Sequence, residues 1–171
     1  MSRWKASAAL VAATLIALVQ QPLQAQEDQI GIALGATPDA VVVEDLDGNP
    51  VGLADYVGRK PVLLQFWATW CPLCKALEPK LQAAYARYGE EVEFVIIAVA
   101  VNQNARRVRR HLERHEMPGR VLWDTDGRAV RAFKAPSTSY IVVLDTAGEV
   151  VYTGLGVDQD IESAVQKAFG R

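Results

Sequence analysis

Two cysteines stand three positions apart in the segment Trp70-Cys71-Pro72-Leu73-Cys74, and the chain of 171 residues has no others. A larger disulfide framework is therefore excluded. The two sulfurs can react with each other, with a metal ion or with the sulfur of a partner. The spacing narrows the chemistry to thiol–disulfide exchange, metal binding or a structural bridge.

The residues around the pair favour a reactive thiol. Cys71 follows an apolar segment, and Pro72 suits the first position of a helix, where its missing N–H is harmless. Cys71 is then the N-cap, and its sulfur can accept hydrogen bonds from the first turn. The helix dipole and Lys75 favour the thiolate, and such surroundings typically lower a cysteine pKa from about 8.5 to roughly 3.5–7.5. We expect Cys71 to attack a partner disulfide and Cys74 to resolve the mixed disulfide.

Hydrophobic patterns predict the elements that position the cysteines. The apolar runs Val62–Trp67 and 92–101 are typical of buried strands. Between them, apolar residues recur at intervals of three and four over 73–88, which predicts a helix ending at Gly89. Two strands joined through a helix are expected to lie parallel.

The remaining patterns predict an α/β fold with a mixed central sheet, helices on both faces and an N-terminal β-hairpin. They comprise a hairpin at 41–51, a polar helix at 105–115, a short extended segment at 120–123, a second hairpin at 140–153 and a closing helix at 158–169.

The first 25 residues have the order of a secretory signal peptide. Arg3 and Lys5 precede a 14-residue apolar run at 6–19, and a small-residue cleavage site ends at Ala25. The run is shorter than the roughly 18 to 20 residues that span a bilayer, so we expect cleavage, with an uncleaved anchor as the alternative. Residues 26–37 are expected to form a loose lead-in and residues 38–171 one domain. The expected location is periplasmic or otherwise extracytoplasmic.

Charge gives little indication of a partner. The formal net charge is −2, and removal of the two cations in residues 1–25 leaves about −4, so nothing indicates nucleic-acid binding. An arginine cluster on the predicted polar helix could steer an acidic partner, although an exposed helix face is the more ordinary interpretation. Its members are Arg106, Arg107, Arg109, Arg110 and Arg114. We expect a monomer.

The segment 66–75 (FWATWCPLCK) resembles the active-site segment of thioredoxin-fold proteins. With the secretory leader and the N-terminal hairpin, residues 36–171 resemble the TlpA/ResA-like group of extracytoplasmic thiol–disulfide oxidoreductases. The resemblance implies a thioredoxin-like fold and reduction of partner-protein disulfides through a Cys71–Cys74 dithiol/disulfide cycle. It implies no cofactor or metal besides this redox-active pair. It also implies a membrane thiol donor and substrates such as apocytochrome c or another metalloprotein precursor.

Three positions depart from the family pattern. Gln65 stands where thioredoxins have a buried aspartate, and Leu77 stands where many ResA-like proteins have a glutamate, with Glu78 one step further on. The general base is therefore unassigned. The family's cis-proline position falls on Ser139 when counted back from the late glycine, and the nearest proline is Pro136. We expect Pro136 to take this role, with Ser139 as the alternative, and Trp70 to lie exposed beside Cys71.

Other interpretations of the cysteine pair remain open. The Pro-Leu dipeptide does not fix the redox direction, so a dithiol oxidant or isomerase is an alternative. A metal-delivery module is a weaker one, because the other candidate ligands, His111 and His115, are more typical of an exposed helix face. An inert bridge is disfavoured because so short a loop stabilises little. Covalent haem attachment needs a histidine where Lys75 stands.

Overall fold

The computed structural model describes residues 30–170, and the predicted signal peptide lies outside this range. The strands and helices of the described chain follow in sequence order. They are β1 (Val42–Glu44), β2 (Pro50–Gly52), a 3₁₀ turn (Leu53–Tyr56), β3 (Val62–Trp67), α1 (Pro72–Tyr88), β4 (Glu93–Val99), α2 (Ala105–Leu112), β5 (Arg120–Asp124), α3 (Arg128–Ala132), β6 (Tyr140–Leu144), β7 (Val150–Gly154) and α4 (Ile161–Lys167).

The strands form one mixed sheet in the order β2-β1-β5-β4-β3-β6-β7. β3, β4 and β5 are parallel neighbours, whereas β6 runs antiparallel to β3 and pairs with β7 in a hairpin. The hairpin of β1 and β2 extends the sheet beyond β5. The predicted mixed sheet with an N-terminal hairpin is therefore confirmed.

All six residues of β3 are buried because the sheet carries apolar layers on both faces. On one face, Leu63 packs with Leu77 of α1 and Ile161 of α4. On the other face, Phe66 belongs to a cluster that includes Val108 of α2 together with side chains from α3. The predicted helices on both faces of the sheet are confirmed, and β3 is the central strand whose end presents the cysteines.

Two helical segments differ from the sequence-based expectation. Helix α3 has only five residues and was not predicted. The buried Asp124 carboxylate caps its first turn by accepting the N–H groups of Ala129 (3.2 Å) and Val130 (3.0 Å). Helix α4 begins at Ile161 rather than near residue 158. Asp160 caps it by accepting the N–H of Ser163 at 3.0 Å.

Part of the predicted lead-in, residues 30–37, lies within the described chain and packs on the sheet. Ile32 is buried, and its N–H donates to the Tyr140 hydroxyl at 3.1 Å. The Gly35 N–H donates to the Val150 carbonyl (2.8 Å), and the Val150 N–H donates to Ala36 (2.9 Å). These bonds tie the segment to β6 and β7. Within residues 30–170, none of the helices has the length and apolar character needed to cross a membrane.

Candidate functional site

The cysteine pair lies where β3 passes into α1, and the two sulfurs form a disulfide. Cys71 has the extended backbone of an N-cap residue, and Pro72 is the first helical residue. The Cys71 sulfur accepts the N–H of Cys74 at 3.0 Å. A sulfur in this position lies at the positive end of the helix dipole, which stabilises its thiolate when the disulfide is reduced.

The two cysteines differ in their access to a partner. Cys71 is 5% exposed and lines an open pocket of about 510 Å³, whereas Cys74 is 1% exposed and does not line it. Their Cα atoms are 5.3 Å apart. An accessible sulfur with a shielded neighbour in bonding reach is the arrangement that two-step disulfide exchange requires.

Contacts with the loop after β4 hold the segment before Cys71 in place. The N–H and hydroxyl of Thr69 both donate to the Gln103 side-chain oxygen at 2.9 Å. The Gln103 amide in turn donates to the Val99 carbonyl at 2.7 Å. The Trp70 indole N–H donates to the Val101 carbonyl at 2.7 Å. Sequence reasoning missed Gln103, because nothing local marks a residue that supports a segment 34 positions away.

Apolar and charged side chains surround the disulfide. Trp70 is 40% exposed beside Cys71, and Leu73 is exposed on the next turn. Lys75 is also exposed and lines the pocket. Trp67, by contrast, is buried in the core. The exposed indole with its N–H already bonded leaves an apolar surface next to the reactive sulfur.

Helix α2 and the turn that follows it supply the other side of the pocket, which the sequence did not predict. The His111 ring packs on Trp67 with centroids 5.2 Å apart and on His115 with centroids 4.4 Å apart. His111, Arg114 and His115 all line the pocket that contains Cys71. Burial, together with the charges of His115 and Arg114, lowers the pKa of His111. The two histidines thus line the same pocket as Cys71, with His111 half-buried and His115 exposed.

Ser139 lies directly before β6, which begins at Tyr140. Ser139 is fully buried with φ 66°, and its N–H donates to the Phe66 carbonyl of β3 at 2.8 Å. Pro136 is exposed three residues earlier, and the described residues contain no cis peptide bond. A proline at position 139 could not donate this hydrogen bond, and the role that we expect for Pro136 stays a prediction.

The two substituted acidic positions are both buried. Gln65 is fully buried in β3, and neither atom of its amide finds a hydrogen-bond partner among the described residues. Leu77 packs in the core under α1. Glu78, one residue further on, lines the pocket with Cys71 and is the carboxylate of this site. In residues 30–170, no group of three or more histidine, cysteine or acidic residues is placed to hold a metal ion.

The sheet topology and the disulfide at the start of α1 define the class of protein, a thioredoxin-like thiol–disulfide oxidoreductase. The chain belongs to the Redoxin family, whose model matches residues 33–168. It is 31% identical to thiol-disulfide oxidoreductase ResA of Geobacillus kaustophilus over 79% of this chain and 78% of that protein. It is 32% identical to ResA of Oceanobacillus iheyensis over 88% of this chain and 79% of that protein.

A solved structure supports the same fold and class. The secreted Mycobacterium tuberculosis disulfide oxidoreductase homologous to E. coli DsbE is 25% identical, with a TM-score of 0.64. The match covers 74% of this chain and 95% of the neighbour. The predicted family, the thioredoxin-like fold and the enzyme class of thiol–disulfide oxidoreductase are confirmed.

Proposed function

We propose that the protein works outside the cytoplasm as a reductase of partner-protein disulfides, with Cys71 as the attacking and Cys74 as the resolving sulfur. The observation that carries this proposal is the unequal access of the two sulfurs. Cys71 lines the open pocket at a helix start, and Cys74 is shielded from that pocket within bonding reach.

The chain's own dithiol is the reductant for one partner disulfide. The Cys71 thiolate attacks one sulfur of a partner disulfide, and the other partner sulfur leaves as a thiolate that takes a proton from water. The Cys74 thiolate then attacks the Cys71 sulfur and releases the second partner thiolate. The partner gains two electrons, and the protein ends as the Cys71–Cys74 disulfide. A membrane thiol donor must return two electrons before the next cycle.

The helix start supports this chemistry on the enzyme side. The Cys74 N–H that donates to the Cys71 sulfur in the oxidised state stays in place to stabilise its thiolate after reduction. Lys75 adds a positive charge in the same pocket. A stabilised thiolate is also the form of Cys71 that attacks, so the helix start raises the fraction of the chain that can react with a partner disulfide.

The N-terminal segment and the relatives of the chain support the proposed location and partners. Residues 1–25 have the order of a cleaved secretory leader, whose removal would leave the lead-in at 26–37 and the domain at 38–171. We propose that this domain is a monomer. The structural neighbour from Mycobacterium tuberculosis is described as secreted. The proposed substrates are disulfide-containing proteins of that compartment, including apocytochrome c, whose cysteines must be reduced before haem attachment.

Substitution of each cysteine tests the assignment of the two sulfurs. Cys74→Ser should accumulate mixed disulfides with partner proteins, because no thiol remains to release them. Cys71→Ser is the matched control, which should form none and should lose disulfide reduction. Non-reducing electrophoresis followed by mass spectrometry identifies the bonded cysteine. Equal trapping by both variants would show that the two sulfurs have no distinct roles.

The reduction potential of the pair tests the proposed direction. A value near −270 mV, as in thioredoxin, is expected for a reductase, whereas a value near −120 mV would make the protein an oxidant. Equilibration of the full-length protein with defined thiol–disulfide buffers gives this potential from the tryptophan fluorescence of its two redox forms.

A further inference from the structure

Three basic side chains form one wall of the pocket over Cys71. We call His111, Arg114 and His115 the basic wall. They stand three and four positions apart at the C-terminal end of α2 and in the turn that follows, so their side chains share one face. The same pocket is lined by Cys71, which places these groups where a partner's cysteine must approach.

The charges facing the basic wall leave the pocket positive. Helix α1 contributes Lys75 and Glu78, whereas Thr69 and Trp70 of the preceding loop carry no charge. Lys75 and Arg114 outweigh Glu78 by one positive charge with neutral imidazoles and by three when both are protonated. The chain as a whole carries −2. The positive pocket is therefore a local feature of an acidic protein.

The cations of the pocket are not used by internal ion pairs. Among the described residues, the ion pairs join Arg87 to Glu162, Arg109 to Asp47 and Arg128 to Asp126. Arg109, on the same helix as the basic wall, shows that α2 arginines can find an internal carboxylate. The Nε of Arg114 instead makes one long bond of 3.4 Å to a carbonyl of its own helix. Its guanidinium is available to a ligand.

We propose that the basic wall binds an acidic side chain adjacent to the reactive cysteine of the partner. The preferred substrate is a peptide segment in which aspartate or glutamate flanks the disulfide-bonded cysteine, and the exposed Trp70 indole supports the peptide beside Cys71. This inference rests on the exchange reaction proposed above and adds a substrate preference to it. Arg114 and His115 act as specificity-determining residues.

The preference should depend on pH in a defined direction. Imidazole ordinarily gains its proton near pH 6.5, and burial and the neighbouring cations move the pKa of His111 below that. Lowering the pH from about 8 to about 5.5 therefore adds positive charge to the basic wall and strengthens binding of a carboxylate. Protonation of the Cys71 thiolate slows the reaction with every substrate, so the ratio of two substrates isolates the effect of the wall.

The test compares two disulfide peptides that differ only in glutamate or glutamine beside the cysteines. The full-length reduced protein, freed of reductant, is mixed with each peptide, and tryptophan fluorescence follows a single turnover. The glutamate peptide should react faster. Arg114→Gln should lower the rate ratio about 1.4- to 5-fold, the value of one exposed ion pair. Arg106→Gln removes the same charge from α2 away from the pocket and should leave the ratio unchanged.

The controls separate this inference from the proposed function. The wild-type protein must reduce the glutamine peptide if the exchange reaction is correct, whatever the preference. A ratio of one for wild type, or a ratio that Arg106→Gln lowers as much as Arg114→Gln, would overturn the basic wall. The wild-type ratio should rise toward low pH and His111→Gln should flatten that rise, so an unchanged rise in His111→Gln would also count against the proposal. High salt should reduce the wild-type ratio.

Discussion

Two segments meet at the disulfide end of the sheet, and different forces fix their conformations. Residues 71–75 start α1, where Pro72 and the capping sulfur of Cys71 organise the turn locally. Residues 136–140 enter β6, where Ser139 takes a φ of 66° that non-glycine residues seldom adopt. The first conformation follows from neighbours in the sequence, and the second has to be imposed from elsewhere in the fold.

The hydrogen bonds of Ser139 show what imposes it. Its N–H donates to Phe66 of β3, and its hydroxyl accepts the Gly156 N–H at 3.3 Å. Its carbonyl accepts the side-chain amide of Gln159 at 3.1 Å. Backbone, side chain and carbonyl are thus all bonded to distant parts of the chain. A strained residue persists where its surroundings over-determine it, so the segment before β6 should be a rigid counterpart to the reactive cysteine turn.

The largest expected loss of stability comes from a substitution that disrupts this rigid segment. Ser139→Pro removes the N–H that bonds to Phe66 and imposes a φ near −65°, incompatible with the observed 66°. We expect a loss of about 3 kcal/mol or more in the free energy of unfolding. Urea unfolding of the oxidised protein measures it. Ser139→Gly is the matched control, because glycine keeps the N–H and accepts positive φ.

The family's proline makes this substitution informative. If Ser139→Pro were as stable as wild type, the segment could rearrange to accept a proline, and the contrast between a local and an imposed conformation would fail. A large loss of stability in Ser139→Pro with a small loss in Ser139→Gly would establish that this position requires a positive φ and a backbone N–H.

A smaller effect is expected from the support behind Ser139. Gln159 is buried, and its amide donates to the carbonyls of Ser139 (3.1 Å) and Gly156 (2.7 Å). Gln159→Leu leaves both carbonyls without this donor, which should cost about 1–3 kcal/mol in the free energy of unfolding. Gln166→Leu is the control, because the Gln166 side-chain amide donates to the Tyr88 hydroxyl (3.1 Å) in an exposed hydrogen bond. Equal losses in both variants would assign Gln159 no special role.

The same contrast explains what the sequence could predict. Val62–Trp67, α1 and the cysteine cap follow from local periodicity and capping chemistry, so the sheet, its central strand and the reactive pair were predicted correctly. Ser139, Gln103 and the basic wall act through contacts between residues far apart in the chain, and no local pattern marks them. The arginine cluster of α2 was visible as a charge run, yet only the fold shows that Arg114 alone among its members lines the pocket.

The smallest expected effect is at Gln65 in β3, the strand that leads to the cysteines, and it is a gain in stability. Gln65 is fully buried in β3 between Ile96 and Ile141, with no hydrogen-bond partner for its amide among the described residues. Gln65→Met replaces the amide by an unbranched apolar side chain of similar length, so it should raise the free energy of unfolding by about 1 kcal/mol. Urea unfolding of the oxidised protein provides the measurement.

Gln65→Glu is the matched control, because it keeps the shape of the side chain and adds an acid whose charged form burial strongly disfavours. Gln65→Glu should lower the free energy of unfolding at neutral pH. This loss should diminish as the pH falls, because burial raises the pKa of the carboxyl and the folded state favours its protonated form. A loss of stability in Gln65→Met would instead show that a buried water satisfies the amide. The hydrated Gln65 amide would then contribute to stability within β3. The strand that leads to the cysteines would depend on a non-local polar contact, as Ser139 does.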